Sequence, residues 1–235
     1  MKHRNREIVS FFLIAVCFFL SDFSGLYGYK FEFTTVSDVV KKIKDKFEEF
    51  DTYQADFKII SEKAGAKSRQ SGKVSYKRKN KMLVEFREPY GQKIVSDGKT
   101  MWLYIPSMNV VAEQDLKDET GSLFSSGSSS GLKRLFSKYH YKFASKNQPE
   151  AQSDGTKAYT LSLDQKESRS GYRSLKLWVS EKYLITKITG ETTSGKNVEI
   201  IFENIKTDGD LSNGIFKFDV PSKAKIIQNP FVSEE

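Results

Sequence analysis

One arginine in this sequence stands where an apolar side chain is expected, and few other residues could do chemistry at all. In Gly72-Lys73-Val74-Ser75-Tyr76-Lys77-Arg78 the residue types alternate. Along an extended chain, alternation puts Gly72, Val74, Tyr76 and Arg78 on one face and Lys73, Ser75 and Lys77 on the other. Met82, Val84 and Phe86 supply a matching face on the following strand. A guanidinium has five donors and no acceptor, so it must find oxygen partners wherever water is excluded. Two readings follow. In one, Arg78 ends its strand and extends its head group into water over an apolar stem. In the other it is buried or half-buried and donates to backbone carbonyls of a covering helix or to the polar head of a ligand. Helix and ligand then compete for the same donors, because an unpaired buried guanidinium costs on the order of several kcal/mol. Such competition keeps ligand binding reversible.

The remaining candidates are sparse. Cys17 is the only cysteine, and His3 and His140 are the only histidines. One histidine beyond the first residues makes no His-rich zinc site, and no thiolate stands near it in sequence. A Ser–His–acid triad through His140 has no nucleophile motif beside it. In Tyr139-His140-Tyr141 the histidine reads as a strand residue beside a helix end. No Gly-rich phosphate loop is present. These residues point to a protein that is not an enzyme and takes neither cofactor nor metal.

The elements that must position Arg78 follow from periodicity. Val36, Val39, Val40, Ile43, Phe47 and Phe50 recur at helical spacing, with lysines and Asp45 on the polar face and Thr35 or Ser37 as the cap. From Tyr53 the period becomes two. Strands are expected from Tyr53 through Ile59 and near 70–79, 81–88, 94–96, 100–105 and 109–114, with Asp97-Gly98 as a hairpin turn. Residues 121–131 are Ser/Gly-rich and read as a loop; Leu132, Leu135, Phe136 and Tyr139 then give a short helix face. Four or five strands follow, near 139–145, 157–164, 172–180, 183–193 and 197–207, and Phe216, Phe218 and Pro221 close the folded part before a loose tail after Pro230. About eleven strands joined by short turns imply one antiparallel sheet, and a sheet that large curls. The expected fold is mainly β with α: an incomplete, half-open antiparallel barrel covered by a helical lid. Val74, Tyr76, Met82, Val84, Phe86, Trp102, Tyr104, Leu175, Leu177 and Val179 are the expected wall of an acyl-chain cavity gated by Arg78. Val39, Val40, Ile43, Phe47, Leu132, Leu135 and Phe136 are the expected lid. Burial of an acyl chain there would contribute roughly 0.8 kcal/mol per CH2. The alternative for each of these residues is an ordinary packed core.

Residues 1–28 read as a secretory signal peptide: Lys2, Arg4 and Arg6 precede the apolar run Phe11–Leu20, which is too short to span a bilayer, and Gly28 is the best small-residue exit. An uncleaved anchor is the alternative. Val16 before Cys17 and Phe18-Phe19-Leu20 after it do not fit a lipoprotein signal. Residues 29–235 then form a single domain. Three cations and two anions (Glu7, Asp22) fall in 1–28, so the remainder holds +7 of the +8 formal charge. That charge favours solubility and anionic surfaces such as phospholipid head groups; scattered lysines without a dense basic block argue against nucleic acid.

Ile94-Val95-Ser96-Asp97-Gly98-Lys99-Thr100-Met101-Trp102-Leu103-Tyr104 resembles the central motif of the outer-membrane lipoprotein carrier family, LolA. Gly72 to Arg78 resembles its preceding strand, with the arginine linked to lid closure. Ile201-Phe202-Glu203-Asn204-Ile205 and Phe216-Lys217-Phe218-Asp219-Val220-Pro221 resemble its C-terminal end. The resemblance runs over most of residues 36–227. It implies a periplasmic carrier, monomeric, that takes acylated lipoproteins from an inner-membrane release complex toward the outer membrane, with an outer-membrane acceptor left open. One departure stands out: the family usually has proline after that arginine, and here the residue is Lys79. A periplasmic binding or sensor module of similar half-barrel shape, taking another lipid or glycolipid, is the alternative.

Overall fold

The computed structural model describes residues 34–116, 129–167 and 171–229. The expected signal peptide, most of the Ser/Gly-rich loop and the tail from Pro230 lie outside them. The chain opens with helix α1, Val36–Glu49. Its start is a capping box: Thr35 Oγ1 accepts from the Asp38 backbone N–H (3.1 Å), and the Asp38 carboxylate accepts from the Thr35 N–H (2.9 Å). Those bonds to Thr35 hold the Asp38 carboxyl below the usual carboxylate range.

The strands are β1 (Thr52–Lys63), β2 (Ala66–Lys77), β3 (Lys81–Glu88), β4 (Lys93–Asp97), β5 (Thr100–Ile105) and β6 (Val110–Asp115), with a 3-10 turn at Pro106–Met108. Helix α2 (Ser129–Lys138) runs directly into β7 (Tyr139–Phe143). Then come β8 (Glu150–Ala151), β9 (Lys157–Gln165), β10 (Tyr172–Ser180), β11 (Ile185–Thr192), β12 (Asn197–Thr207), a 3-10 turn at Asn213–Phe216 and β13 (Lys225–Gln228). They form one sheet in the order β13-β6-β5-β4-β3-β2-β1-β12-β11-β10-β9-β7, with β8 beside β9. The sheet ends in β13 on one side and β7 on the other without closing, which makes the half-open barrel.

Register gives the sheet its inner face. Leu161, Leu177, Ile188, Ile200 and Ile59 pair in sequence across five strands. Val74, Val84, Ile94, Leu103 and Ala112 form the same kind of row across the other half. A bulge in β12 keeps the face apolar to its end. Asn204 takes a left-handed φ of 53°, opposite the step from Gln54 to Asp56, and its side-chain amide donates to Asp56 (2.8 Å). Both helices lie on this face: Val39, Val40, Ile43, Leu132 and Phe136 share one buried cluster with Tyr159, Leu161, Leu163, Leu175, Leu177, Val179 and Ile185.

Three expectations need correction. Among the described residues strands number thirteen, because β8 is a two-residue pairing and β13 lies beyond Pro221, where the fold was expected to end. The sheet is antiparallel except for β13, which runs parallel to β6. That pairing is set by side chains far away in sequence: Asn109 donates to the Lys223 carbonyl (2.7 Å) and Asn229 accepts from the Asp115 N–H (3.0 Å). Finally, α2 begins at Ser129, inside the stretch read as loop.

Candidate functional site

Beneath the two helices lies a cavity of about 290 Å³. Its roof is Phe47 of α1 with Leu132 and Leu135 of α2; its floor is Leu175, Leu177, Ile185, Ile188, Val198, Ile200 and Phe202, and Tyr53, Tyr139 and Tyr172 stand at its sides. Gly190 completes the floor, and a Cβ there would sit 2.7 Å from Leu175 Cδ2 and 2.8 Å from the Tyr172 ring. The volume is at the lower end of the roughly 300–1,000 Å³ of ligand pockets. The lining is apolar, and its three phenols stay neutral: burial pushes Tyr53, Tyr139 and Tyr172 up from the ordinary tyrosine value. The Tyr139 hydroxyl donates to the Tyr172 carbonyl (2.8 Å), which satisfies it inside the wall. Such a space offers burial to hydrocarbon. Among the described residues no group of three or more His, Cys, Asp or Glu could hold a metal ion.

The sequence-predicted wall residues divide by position. Leu175 and Leu177 line the cavity. Val179 lies in the buried core that fastens the helices to the sheet. Val74 and Tyr76 pack around Phe50, Tyr53 and Ala55 at the neighbouring part of the inner face. Met82, Val84 and Phe86 pair with Tyr76, Val74 and Gly72 and so share that face, half-buried and away from the cavity. Phe86 meets Phe57 edge-on at 5.3 Å over Gly72, where a Cβ would come within 2.7 Å of the Phe57 ring. Trp102 and Tyr104 do not belong to the wall. They face outward, 6.0 and 5.9 Å from the Phe218 ring, and Trp102 Nε1 donates to Glu113 (3.0 Å). Thr100–Ile105 is apolar on both faces, so alternation alone left its orientation open; the C-terminal segment with Leu211, Phe216 and Phe218 covers its outer side together with Leu83 and Val95.

The expected lid residues divide too. Phe47, Leu132 and Leu135 look into the cavity, while Val39, Val40, Ile43 and Phe136 attach the two helices to the sheet. Lys133 of α2 reaches Glu48 of α1 (2.6 Å), tying the helices together. Lys42 donates to the Tyr183 hydroxyl (3.0 Å) at the lid's other side.

Arg78 stands at the end of α1. Its Nη2 lies 2.7, 3.0 and 3.4 Å from the carbonyls of Glu48, Glu49 and Phe50, and its Nε lies 2.8 Å from Asp51 Oδ1. These are the orphan acceptors of the last helical turn, where the helix dipole favours a cation. The Arg78 side chain is half exposed, at 52%, so it combines both sequence readings: the strand ends here, and the head group still clasps the covering helix. Because of that exposure the full penalty of an unpaired buried charge does not apply, and the clasp contributes about 2 kcal/mol rather than several. Asp208 helps from the other side by accepting from the Asp51 N–H (2.9 Å).

The turn that carries Arg78 is built by the neighbouring hairpin. Lys79 and Asn80 have φ of 71° and 60°, a region closed to proline, so this turn differs from one with proline after the arginine. Ser96, 2% exposed, donates to the Asn80 carbonyl (3.0 Å) and accepts from the Gly98 N–H (3.1 Å). A Cβ on Gly98 would lie 2.3 Å from the Lys79 carbonyl oxygen, and its φ is +98°. Sequence reasoning did not assign Ser96 and Gly98 to the site. It also passed over Tyr53, Tyr139, Tyr172, Ile185, Gly190, Val198, Ile200 and Phe202; a glycine inside a strand, as at 190, was the available signal of close approach.

A sequence model of the family described as outer membrane lipoprotein carrier protein LolA matches residues 48–219. An uncharacterised protein of Methanocaldococcus jannaschii is 26% identical over 225 residues, which is 94% of this chain and 60% of that protein, so the chain spans less than two thirds of this relative. The outer-membrane lipoprotein carrier protein of Pasteurella multocida is 25% identical over 196 residues, covering 81% of this chain and 87% of the relative. Among solved structures, an uncharacterised conserved protein from Thermus thermophilus shares the fold with a TM-score of 0.55 at 12% identity, over 82% of this chain and 98% of that one.

Proposed function

Because the chain belongs to the outer-membrane lipoprotein carrier family, LolA, we propose that it is a non-enzymatic periplasmic carrier that shields the acyl chains of lipoproteins between two membranes. The observation that carries this reading is an apolar cavity roofed by two helices, with the C-terminal turn of α1 held by one half-exposed arginine. Acyl chains would enter as α1 and α2 lift, bury against Leu175, Leu177 and Ile200, and gain further length from the inner face at Val74, Tyr76, Met82, Val84 and Phe86. At about 290 Å³ the closed cavity is too small for a lipoprotein's full lipid, so loading requires the lid to rise. Arg78 exchanges carbonyl partners for water or cargo as that happens, and closure after release returns them. Residues 1–28 would direct export, an inner-membrane release complex would supply cargo, and the carrier would work as a monomer.

The experiment is native mass spectrometry of the protein isolated gently from the compartment in which it accumulates. A bound mass equal to an acylated polypeptide is expected. A small free lipid in its place would replace the lipoprotein reading with a lipid-binding one, and a protein empty even after incubation with acylated lipoproteins would sink both.

A further inference from the structure

At the strand ends opposite the Arg78 clasp, three segments meet. The loop from β3 to β4 places Gly91 against Pro106, 3.4 Å from an ideal Cβ position to the proline ring. The turn from β5 to β6 follows Pro106, and its Asn109 binds the chain entering β13: the side chain donates to the Lys223 carbonyl (2.7 Å), and the Asn109 carbonyl accepts from the Lys225 N–H (2.9 Å). On this tip Tyr90 is 91% exposed and Met108 67% exposed, the two most exposed large apolar side chains among the described residues; Ile226 and Ile227 of β13 follow at 45% and 40%. Lys223 and Lys225 flank them, both exposed and in no ion pair among the described residues, and Glu88 is the carboxylate at the base of the β3–β4 loop.

We propose that this tip docks the protein on an anionic phospholipid surface, with the strands standing on the membrane and the clasp end pointing away from it. A tyrosine ring with an exposed hydroxyl suits the head-group level, and methionine adapts to an irregular apolar layer. Lysine stems lie along the acyl boundary while their ammonium groups meet lipid phosphates. Tyr90 and Met108, the most exposed of these side chains, stand singly on separate turns rather than as a flat contiguous patch, which suits a soft surface better than a rigid protein partner. The docking tip does not depend on what the cavity carries.

The test uses the full chain with Tyr90→Trp, read as the fluorescence difference from the unsubstituted protein, which shares Trp102 and Trp178. With phosphatidylcholine vesicles containing phosphatidylglycerol, a blue shift and quenching by brominated lipid are expected from position 90. Adding Lys223→Glu and Lys225→Glu should weaken vesicle affinity by at least about tenfold. The readout is local, so attachment through the N-terminal apolar run leaves it silent. No change at position 90 on these vesicles overturns the proposal, as does equal response on pure phosphatidylcholine with the charge variant unimpaired. A shift produced only by a protein partner would transfer the tip to protein docking. Cargo masses in native spectra of Tyr90→Ser/Met108→Ser should be unchanged, which separates this outcome from failure of the carrier reading.

Discussion

At the scale of single residues, the proposed gating role of Arg78 rests on its bonds to the carbonyls that end α1. Arg78→Leu removes donors worth about 2 kcal/mol at a half-exposed site, so the open population should rise by roughly ten- to thirtyfold. Hydrogen exchange at amides 39–47 would report it; protection equal to that of the parent would end the gating role. Gly98→Ala places a methyl against the Lys79 carbonyl at a left-handed φ and should cost about 2–3 kcal/mol of stability. Ser96→Ala, which removes the donor to the Asn80 carbonyl and the acceptor of the Gly98 N–H, should cost about 1 kcal/mol. Urea denaturation measures both, and each should also raise exchange in α1 if the hairpin truly positions Arg78. Acid stability has a local source as well. The Asn204 amide, then the Arg87 guanidinium, hold the Asp56 carboxyl below its usual range. A carboxyl lowered by folding adds stability that is complete above the ordinary carboxylate range and is lost as pH falls through the lowered value. Asp56→Asn should therefore flatten the acid limb of a stability–pH curve while changing the neutral region less.

At the scale of elements, the cavity floor depends on a glycine. Gly190→Val would drive Leu175 and Tyr172 inward and should reduce binding of a fluorescent fatty acid by an order of magnitude or more. Unaltered affinity would place the acyl site elsewhere on the inner face. The elements were largely legible in the sequence because each has a strong period of its own: α1 from Val36, Val39, Val40 and Ile43, β1 and β2 from strict alternation, the β4–β5 hairpin from Asp97-Gly98. Where period fails, so does the reading. Thr100–Ile105 is apolar on both sides, and only the C-terminal segment folding back onto Leu83 and Val95 decides that Trp102 faces out. β13 is four residues long, and its parallel pairing rests on Asn109 and Asn229. The cavity itself gathers residues from Phe47 to Phe202, and no local pattern encodes that convergence.

At the scale of the whole molecule, one continuous apolar face serves both halves of the sheet, but the helices sit on the half nearer β7. The cavity is thus a local gap within a longer apolar lining. Occupied space stabilises the native state by mass action. A saturating fatty acid at 100 times its dissociation constant should add about 2.7 kcal/mol, or roughly 5–10 °C in melting temperature for a domain of this size. Differential scanning calorimetry would show it, and a melting point indifferent to ligand would mean the face stays closed to hydrocarbon.

The short join between α1 and β1, Phe50-Asp51, has a mechanical meaning. Fourteen helical residues extend about 21 Å from it, so a swing of roughly 20° carries the capped end near Thr35 by about 7 Å. The carbonyls under Arg78, one turn from the same pivot, travel only about 1–2 Å over that swing. The helix is a lever with its catch beside the fulcrum: a displacement large enough to admit a chain at the tip is only just enough to release the catch.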